Sequence, residues 1–241
     1  MMEIIIHGFG RLGRAIAQLA SDMRATVVAT VDKDAPLDDC TAPANVIIDS
    51  SHADAVSGVV KYAVLRKIPL VICTTGLSDD TLNEIAAAAE LVPILLSSNM
   101  SLGVNLQSKL AAIATQTLAK SGFDIEIIEA HHNQKLDAPS GTAFLLANSI
   151  NAAADGKFKF VYDRSQYLQK READEIGISA IRGGTIVGEH SVIFAGPDEI
   201  VEITHRALSR EIFARGALRA AKFIADKPAK LYTINDLLGV S

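Results

Sequence analysis

The sequence predicts an α/β fold in two parts. A glycine-rich turn links the first short apolar run to a helical pattern, as in folds whose parallel strands alternate with helices. Short apolar runs and helical patterns keep alternating as far as residue 100. Beyond that point strand-like segments follow one another, and the turn signal Gly196-Pro197-Asp198 separates two of them. We therefore predict a Rossmann-type parallel sheet domain plus a smaller α+β domain with a mixed, mostly antiparallel sheet.

The first domain is predicted from its alternating segments. Apolar strands are expected at 4–7, 26–31, 46–49, 70–73 and 94–96. Helices are expected over about 53–66 and after a cap at Ser78 or Asp79, while the polar segment 33–44 should be a surface loop. Ligands of such sheets bind at the carboxyl ends of the strands. The residues expected at those ends are Asp49, Thr74, Thr75 and 97–100.

The first turn has the sequence Gly8-Phe9-Gly10-Arg11-Leu12-Gly13. This G-x-G-x-x-G spacing permits a tight turn and lets the backbone approach a pyrophosphate closely. Asp32 follows the second strand, 19 residues after Gly13, where an acid meets the ribose hydroxyls of a dinucleotide. A turn without a ligand would leave Asp32 unexplained. Lys33 and Arg11 are available for a 2′-phosphate, so we expect both NADH and NADPH to bind.

The second domain is predicted from a different order of elements. Helices are expected over about 104–119 and 141–152, and strands at 123–129, 158–162, 176–182, 185–194 and 199–206. A last helix runs from about Ser209 to a point before Pro228. We expect this helix on the first domain, because the parallel sheet still needs cover on one face. The domains are thus predicted at 1–101 with 210–241, and at 102–209.

A basic segment connects the 123–129 strand to the next helix. Within twelve residues it contains His131, His132, Lys135 and the turn 139–142, with Ser140 as a candidate N-cap. Helix starts present backbone N–H groups that bind anions. The alternative is that the histidines are surface residues and the turn only starts a helix. The clustering of three potential cations favours an anion pocket that contains a titratable acid.

Composition and charge narrow the function further. Apolar residues make up 49% and charged residues 21%, so the whole chain should fold. The net charge of −5 argues against a nucleic-acid partner, which would need a basic face. Without a signal peptide or an apolar run that could span a membrane, we expect a cytoplasmic protein with no membrane partner, in which Cys40 and Cys73 stay reduced. No spacing of cysteines and histidines suggests a metal site.

These residues resemble the 4-hydroxy-tetrahydrodipicolinate reductase family, also called dihydrodipicolinate reductase, over essentially the whole chain. Segment 129–143, EAHHNQKLDAPSGTA, is similar to the family signature E-x-H-H-x-x-K-x-D-x-P-S-G-T-A. Supporting matches are Thr74-Thr75-Gly76, 99–105, 187–190 and Ser209-Arg210. The chain departs from the family in a glycine loop one residue shorter, an abbreviated 33–44 segment, Ser50-Ser51 for the usual Phe-Thr, and Cys73 where glycine is common.

The resemblance implies roles for particular residues. His131 would be the proton donor, assisted by Lys135, and His132, Gly141 and Thr142 would bind a substrate carboxylate. The implied cofactor-binding residues are Gly8, Phe9, Gly10, Arg11, Leu12, Gly13, Asp32, Cys73, Thr74, Thr75, Ser97, Ser98, Asn99 and Met100. The charge of Lys33 adds this residue to the set.

The resemblance also implies a reaction. It is the NAD(P)H-dependent reduction of a small cyclic dicarboxylate in the diaminopimelate route of lysine biosynthesis, by a homotetramer whose central domain binds substrate. Two other functions stay open: another amino-acid-pathway NAD(P) dehydrogenase, of the aspartate or homoserine type, and a non-catalytic dinucleotide-sensing protein. A sensor needs the glycine turn but has no use for His131 beside Lys135.

Overall fold

The computed structural model describes residues 1–32, 37–162, 164–166 and 168–239. The chain divides into two compact units, Met1–Leu102 with Glu211–Ser241, and Gly103–Arg210. The chain passes into the second unit after Leu102 and returns to the first after Arg210, in each case one residue later than the sequence suggests. The side chain of Leu102 packs on a core of the first unit, and Arg210 contacts a residue of the second, which accounts for the difference.

The first unit contains a six-stranded sheet in which every pairing is parallel. Numbered along the whole chain, its strands are β1 (Met2–His7), β2 (Ala25–Val31), β3 (Val46–Asp49), β4 (Leu70–Ile72), β5 (Ile94–Leu96) and β11 (Leu231–Tyr232). Their order across the sheet is β11-β5-β4-β3-β1-β2. The predicted Rossmann-type sheet is confirmed.

Helices cover both faces of this sheet. They are α1 (Arg11–Leu19), α2 (Ala53–Arg66), α3 (Asp79–Ala89), α6 (Glu211–Ile224) and α7 (Ile234–Leu238). Ile4 and Ile6 of β1 pack in one core with α1 and α6, whereas Ile5 packs in the other with α2 and α3. Successive side chains of a strand point to opposite faces, so a continuous apolar strand serves both cores. The last long helix thus covers the face opposite α2 and α3.

The second unit contains a five-stranded mixed sheet. Its elements are α4 (Leu102–Leu118), β6 (Asp124–His131), α5 (Gly141–Ala153), β7 (Lys159–Val161), β8 (Glu175–Arg182), β9 (Gly188–Ala195) and β10 (Ile200–Ala207), with the strand order β10-β9-β6-β8-β7. The two antiparallel pairings extend over eight and seven residues, and the two parallel ones over seven and three. A core of buried residues lies between one face of this sheet and residues of α4 and α5.

Four elements differ from the sequence prediction. Strand β6 continues to His131, two residues beyond the predicted end. Strand β9 begins only at Gly188, three residues after the predicted start, because Gly184 and Thr185 form a turn ahead of it. Elements β11 and α7 were not predicted, since two and five residues are too few to show a periodic pattern.

Across the part of the chain that the structure describes, no helix has the length and hydropathy needed to span a membrane. In the same residues, His, Cys, Asp and Glu side chains form no group of three or more that could hold a metal ion. A cytoplasmic location stays a prediction.

Gly216 in α6 provides a test of how closely this helix packs. A methyl group on Gly216 would overlap the carbonyl oxygen of Met100, and backbone cannot move aside cheaply. We expect Gly216→Ala to destabilise the protein by about 1–3 kcal/mol, as overpacking does. The shift in thermal unfolding followed by circular dichroism measures this.

Gly58→Ala is the matched control, because a methyl group at this helical position would meet only open space. It should be neutral or stabilise by roughly 0.5–1 kcal/mol, since alanine favours helix more than glycine does. Equal effects of the two substitutions would contradict the packing interpretation.

Candidate active site

The end of β6 brings together His131 and Glu129. Residues two apart in a strand point to the same face. His131 Nδ1 lies 2.6 Å from Glu129 Oε2. Glu129 has no exposed surface, and His131 is only 9% exposed. Because the carboxylate can only accept, Nδ1–H donates to it, which leaves Nε2 as the ring nitrogen for proton exchange.

Three further N–H groups, from two residues, donate to Glu129. Arg182, opposite His131 in the parallel register of β6 and β8, donates Nη1–H and Nη2–H to the two carboxylate oxygens at 2.8 and 2.7 Å. The backbone N–H of Ser140 donates to Oε1 at 3.0 Å. Burial raises the pKa of Glu129, but the hydrogen bonds from Arg182 and His131 outweigh it, and the pKa is lowered overall. Glu129 is therefore an anion at neutral pH.

The protonation of His131 is set by opposing effects. Burial lowers its pKa, the hydrogen bond to Glu129 raises it, and the charges of Lys135 and Arg182 lower it again. The pKa of His131 is lowered overall from the ordinary value of 6.5. At neutral pH the free protein therefore holds mostly neutral imidazole. A bound anion would raise this pKa and load Nε2 with a proton.

Ser140 begins α5 as its N-cap. Its Oγ accepts the Ala143 N–H at 3.1 Å and also hydrogen-bonds His190 Nε2 at 2.9 Å. Burial lowers the pKa of His190 to about 4, so this imidazole is neutral. The first turn of α5 has no acidic residue and contains Gly141 and Thr142. Such a helix start favours an anionic ligand.

Lys135 is held by a neighbour that sequence analysis did not assign a role. Its Nζ lies 2.8 and 2.9 Å from the two carboxylate oxygens of Asp137, and this hydrogen bond lowers the pKa of Asp137. The carboxylate of Asp137 is mostly exposed. Exposed ion pairs contribute only about 0–1 kcal/mol. An incoming carboxylate can therefore replace Asp137 at low cost.

His132 lies beside Arg210. Arg210 Nη2 is 2.7 Å from His132 Nε2, and the Gln134 N–H lies 3.2 Å from Nδ1. A neutral imidazole has one acceptor nitrogen, so only one of these contacts can be a hydrogen bond at a time. Arg210, which was noted only as part of the family resemblance, adds an exposed cation to this cluster.

The structure thus brings the five predicted site residues of the second unit to the end of β6 and the start of α5. It adds six residues that had no assigned role in the chemistry: Glu129, Asp137, Ser140, Arg182, His190 and Arg210. Glu129, Asp137 and Ser140 belong to the matched signature, and His190 and Arg210 belong to supporting matches. Arg182 is 53 residues from Glu129, and only the strand register shows that they meet.

The glycine turn of the first unit is tight on one side and open on the other. Gly8 has φ +86°, and a Cβ there would lie 2.6 Å from the backbone of Ser51. Gly10 is the N-cap of α1, makes no side-chain cap bond, and has nothing within 4 Å of a Cβ position. Gly13 packs against the Gly8 carbonyl. A pyrophosphate fits such a turn, because the backbone at Gly10 can be approached closely.

The residues around this turn differ in exposure. Asp32 is exposed, and its Oδ2 accepts the Phe9 N–H at 3.1 Å. Arg11 is exposed, whereas Leu12 and Phe9 pack partly on the core. Lys33 lies outside the described residues. Asp32 therefore lies against the glycine turn, where a ribose would meet it.

Thr74 is engaged in a buried network around Asp49. Asp49 has no exposed surface, and its carboxylate contacts Thr74 Oγ1 at 2.6 Å, Ser51 Oγ at 2.6 Å and His7 Nδ1 at 2.7 Å. Cys73 next to it lies in the core, where burial raises the pKa of its thiol. Cys73 is therefore a neutral thiol, and its backbone is the part suited to ligand binding.

The segment after β5 forms a turn stabilised by its own side chains. Ser97 Oγ donates to the Asn99 carbonyl at 2.8 Å, and Asn99 Oδ1 accepts the Ser101 N–H at 2.9 Å. Met100 is buried in the core, while Ser98 and Thr75 are exposed. The side chains of this turn fix its backbone, and the exposed residues face solvent.

Comparisons with known proteins agree with one another. The family models "Dihydrodipicolinate reductase, N-terminus" and "Dihydrodipicolinate reductase, C-terminus" match residues 2–100 and 103–238. The chain is 48% identical to the 4-hydroxy-tetrahydrodipicolinate reductase of Caldanaerobacter subterraneus subsp. tengcongensis, over 99% of this chain and 98% of that one. It is 43% identical to the enzyme of the same name from Clostridium botulinum, over the full length of both.

Solved structures support the same fold. The dipicolinate-bound dihydrodipicolinate reductase of Paenisporosarcina sp. TG-14 superposes with a TM-score of 0.79 at 22% identity, covering 97% of each chain. The aspartate dehydrogenase of Thermotoga maritima gives a TM-score of 0.51 at 12% identity, covering 95% of this chain and 98% of that one. Likeness at these identities concerns the fold alone.

Proposed function

Because the chain belongs to the dihydrodipicolinate reductase family, we propose that it reduces 4-hydroxy-tetrahydrodipicolinate to tetrahydrodipicolinate with NADH or NADPH, in the diaminopimelate route of lysine biosynthesis. The observation that carries this proposal is the buried pair of Glu129 and His131 beside the start of α5. It combines a proton-exchanging nitrogen with an anion-binding helix end. NADH oxidation by the purified protein, with and without the coupled synthase product, tests the proposal.

The substrate carries two carboxylates, and the second unit offers separate donors for them. The amides at Gly141 and Thr142 suit one carboxylate. Lys135 and His132 suit charge-assisted or polar contacts with a carboxylate, once each releases its exposed partner. We therefore assign substrate binding to the second unit.

The overall reaction adds one hydride and one proton to the substrate and releases its 4-hydroxyl as water. The nicotinamide supplies the hydride when the cofactor is bound. The backbone at Gly10 would accommodate the pyrophosphate, and Asp32 the adenosine ribose. Lys33 and Arg11 would serve a 2′-phosphate, and the turns at 73–75 and 97–100 would line the rest of the site.

His131 is the proposed source of the proton. Its Nδ1 is engaged by Glu129, so Nε2 delivers the proton to the substrate. The negative charge of the bound dicarboxylate raises the pKa of His131 and keeps Nε2 protonated until transfer. A positioned general acid typically contributes about 10²–10⁴ in rate.

The two basic residues should divide the work. We expect His131→Gln to lower kcat by about 10² or more with little change in KM, because only proton delivery is lost. Lys135→Met keeps the stem and removes the charge, so it should raise KM through loss of a carboxylate contact. Steady-state kinetics with the coupled synthase product measures both.

Surface variants of the same type provide controls for these substitutions. His52→Gln and Lys120→Met change exposed residues and should leave both constants unaltered. If His131→Gln kept normal kcat while Lys135→Met abolished it, the two roles would be reversed.

The kcat/KM of the wild type should fall as pH rises through the lowered pKa of His131, since the acid form of His131 donates the proton.

Dual cofactor use is the second expectation. Asp32→Ala should weaken NADH binding more than NADPH binding, because NADPH keeps its contacts from the 2′-phosphate to cations. Fluorescence titration gives both dissociation constants, with exposed Asp39→Ala as the control. A wild-type preference above roughly 1,000-fold, or about 4 kcal/mol, for either cofactor would rule out dual use.

A homotetramer is proposed from the uncovered face of the second sheet. Three isoleucines on this face, Ile128, Ile181 and Ile200, are 38%, 52% and 68% exposed. Register places all three on the face opposite Ile127, which lies in the core with α4 and α5. Exposed apolar surface on a sheet is a common interaction site.

Light scattering after size exclusion measures the assembly. The wild type should have about four times the 25.6 kDa chain mass, and Ile128→Asp should reduce it by burying an unpaired charge in the interface. Leu65→Asp, at an exposed residue of α2, should keep the wild-type mass. A monomeric wild type would contradict the proposal.

A further inference from the structure

Glu129 has been described so far only as the hydrogen-bond partner of His131, and its own role in the reaction has not been assigned. Glu129 has no exposed surface and receives hydrogen bonds from His131, from both terminal nitrogens of Arg182, and from the Ser140 N–H. These donors come from β6, from β8 and from the residue before α5. A carboxylate that only stabilised the sheet would need no contact with the proton donor.

The contact fixes which nitrogen of His131 carries the proton. The hydrogen bond at one ring nitrogen sets the tautomer, and Glu129 Oε2 at 2.6 Å holds the hydrogen on Nδ1. Nε2 lies on the side of Gly188, where a Cβ would come within 3.0 Å of it. The absence of a side chain at Gly188 leaves room beside Nε2.

The charge of Glu129 also opposes the cations around His131. Arg182 lies opposite His131 on β8, and Lys135 is in the loop that follows His131. The charges of both residues lower the pKa of His131. His190 of β9, whose ring centroid is 5.1 Å from that of His131, is neutral, and His205 of β10 acts on His190. Asp137 is paired with Lys135. Glu129 is therefore the anion in direct contact with the imidazole.

Glu129 is also linked to both sides of the basic loop. It binds the Ser140 N–H, just before the helix start that suits a carboxylate. Arg182, while bound to Glu129, donates from Nη2 to the Asp137 carbonyl at 2.6 Å. One carboxylate thus fixes the position of the loop relative to His131.

We propose that Glu129 is a positioning residue of the reductase, which holds His131 in the tautomer that presents Nε2 to the substrate and ties it to the carboxylate-binding start of α5. This inference rests on the proposed function for its kinetic consequence. Its structural part concerns the free protein and is measurable without substrate.

The first test is nitrogen NMR of histidine-labelled free protein. In the wild type, neutral His131 should show the Nδ1–H tautomer. Glu129→Gln should populate the Nε2–H tautomer and shift the His131 titration to lower pH, because the anion that favours imidazolium is lost. The matched control is Glu126→Gln, on the same strand but the opposite face, where Glu126 pairs with Arg171. It should leave His131 unchanged.

The second test is the pH profile of turnover. Glu129→Gln should lower kcat at neutral pH at least about 10-fold, less than complete loss of the acid would. The alkaline limb of its profile should move to lower pH, which a merely structural defect would not cause. KM should rise, because the hydrogen bond from the Ser140 N–H that positions the start of α5 is weakened. Glu129→Asp keeps the charge and should restore the limb toward its wild-type position.

The outcomes separate the two proposals. If Glu129→Gln leaves the tautomer and titration of His131 unchanged, the inference is wrong, whatever the activity. If the wild type does not oxidise NADH with the synthase product, the proposed function fails while the NMR result stands. Should Glu129→Gln not fold, the wild-type spectrum decides, because neutral His131 in the Nε2–H tautomer would overturn the inference.

Discussion

The candidate active site depends on one buried carboxylate. Removing an ionised group from water costs several kcal/mol unless hydrogen bonds and opposite charge replace the lost hydration. Glu129 meets this requirement with donors from β6, β8 and the start of α5. Each donor must stay in place to keep the anion satisfied. The geometry of the basic loop therefore follows from the electrostatics of Glu129 rather than from the loop sequence itself.

The first unit uses a similar solution at the end of β3. Asp49 is fully buried, and its carboxylate contacts Thr74, Ser51 and His7. These contacts join the ends of β1, β3 and β4, where the turns proposed to bind the cofactor begin. In both units a buried acid at a strand end holds neighbouring segments that carry ligand-binding groups. Buried polar networks of this kind specify one arrangement when every member is satisfied.

Sequence analysis was most successful where the signal is local. The glycine turn, the apolar strands of the first sheet and the long helices were predicted, because spacing within a few residues defines them. The strand continuing to His131 was missed, since two histidines do not look like a strand end. The contact between Glu129 and Arg182 depends on the register of β6 and β8, which have 43 residues of chain between them. No local pattern encodes that register.

The contacts of the candidate site fall into two classes of strength, and this difference decides what a substrate can displace. Breaking a buried pair such as Glu129 and Arg182 typically costs about 3–5 kcal/mol, because it leaves a buried charge without a partner. An exposed pair such as Lys135 and Asp137 contributes about 0–1 kcal/mol. An incoming carboxylate can therefore compete for Lys135 but not for Arg182. The cations of the loop are therefore available to a ligand, whereas Arg182 stays bound to Glu129, the carboxylate that orients His131.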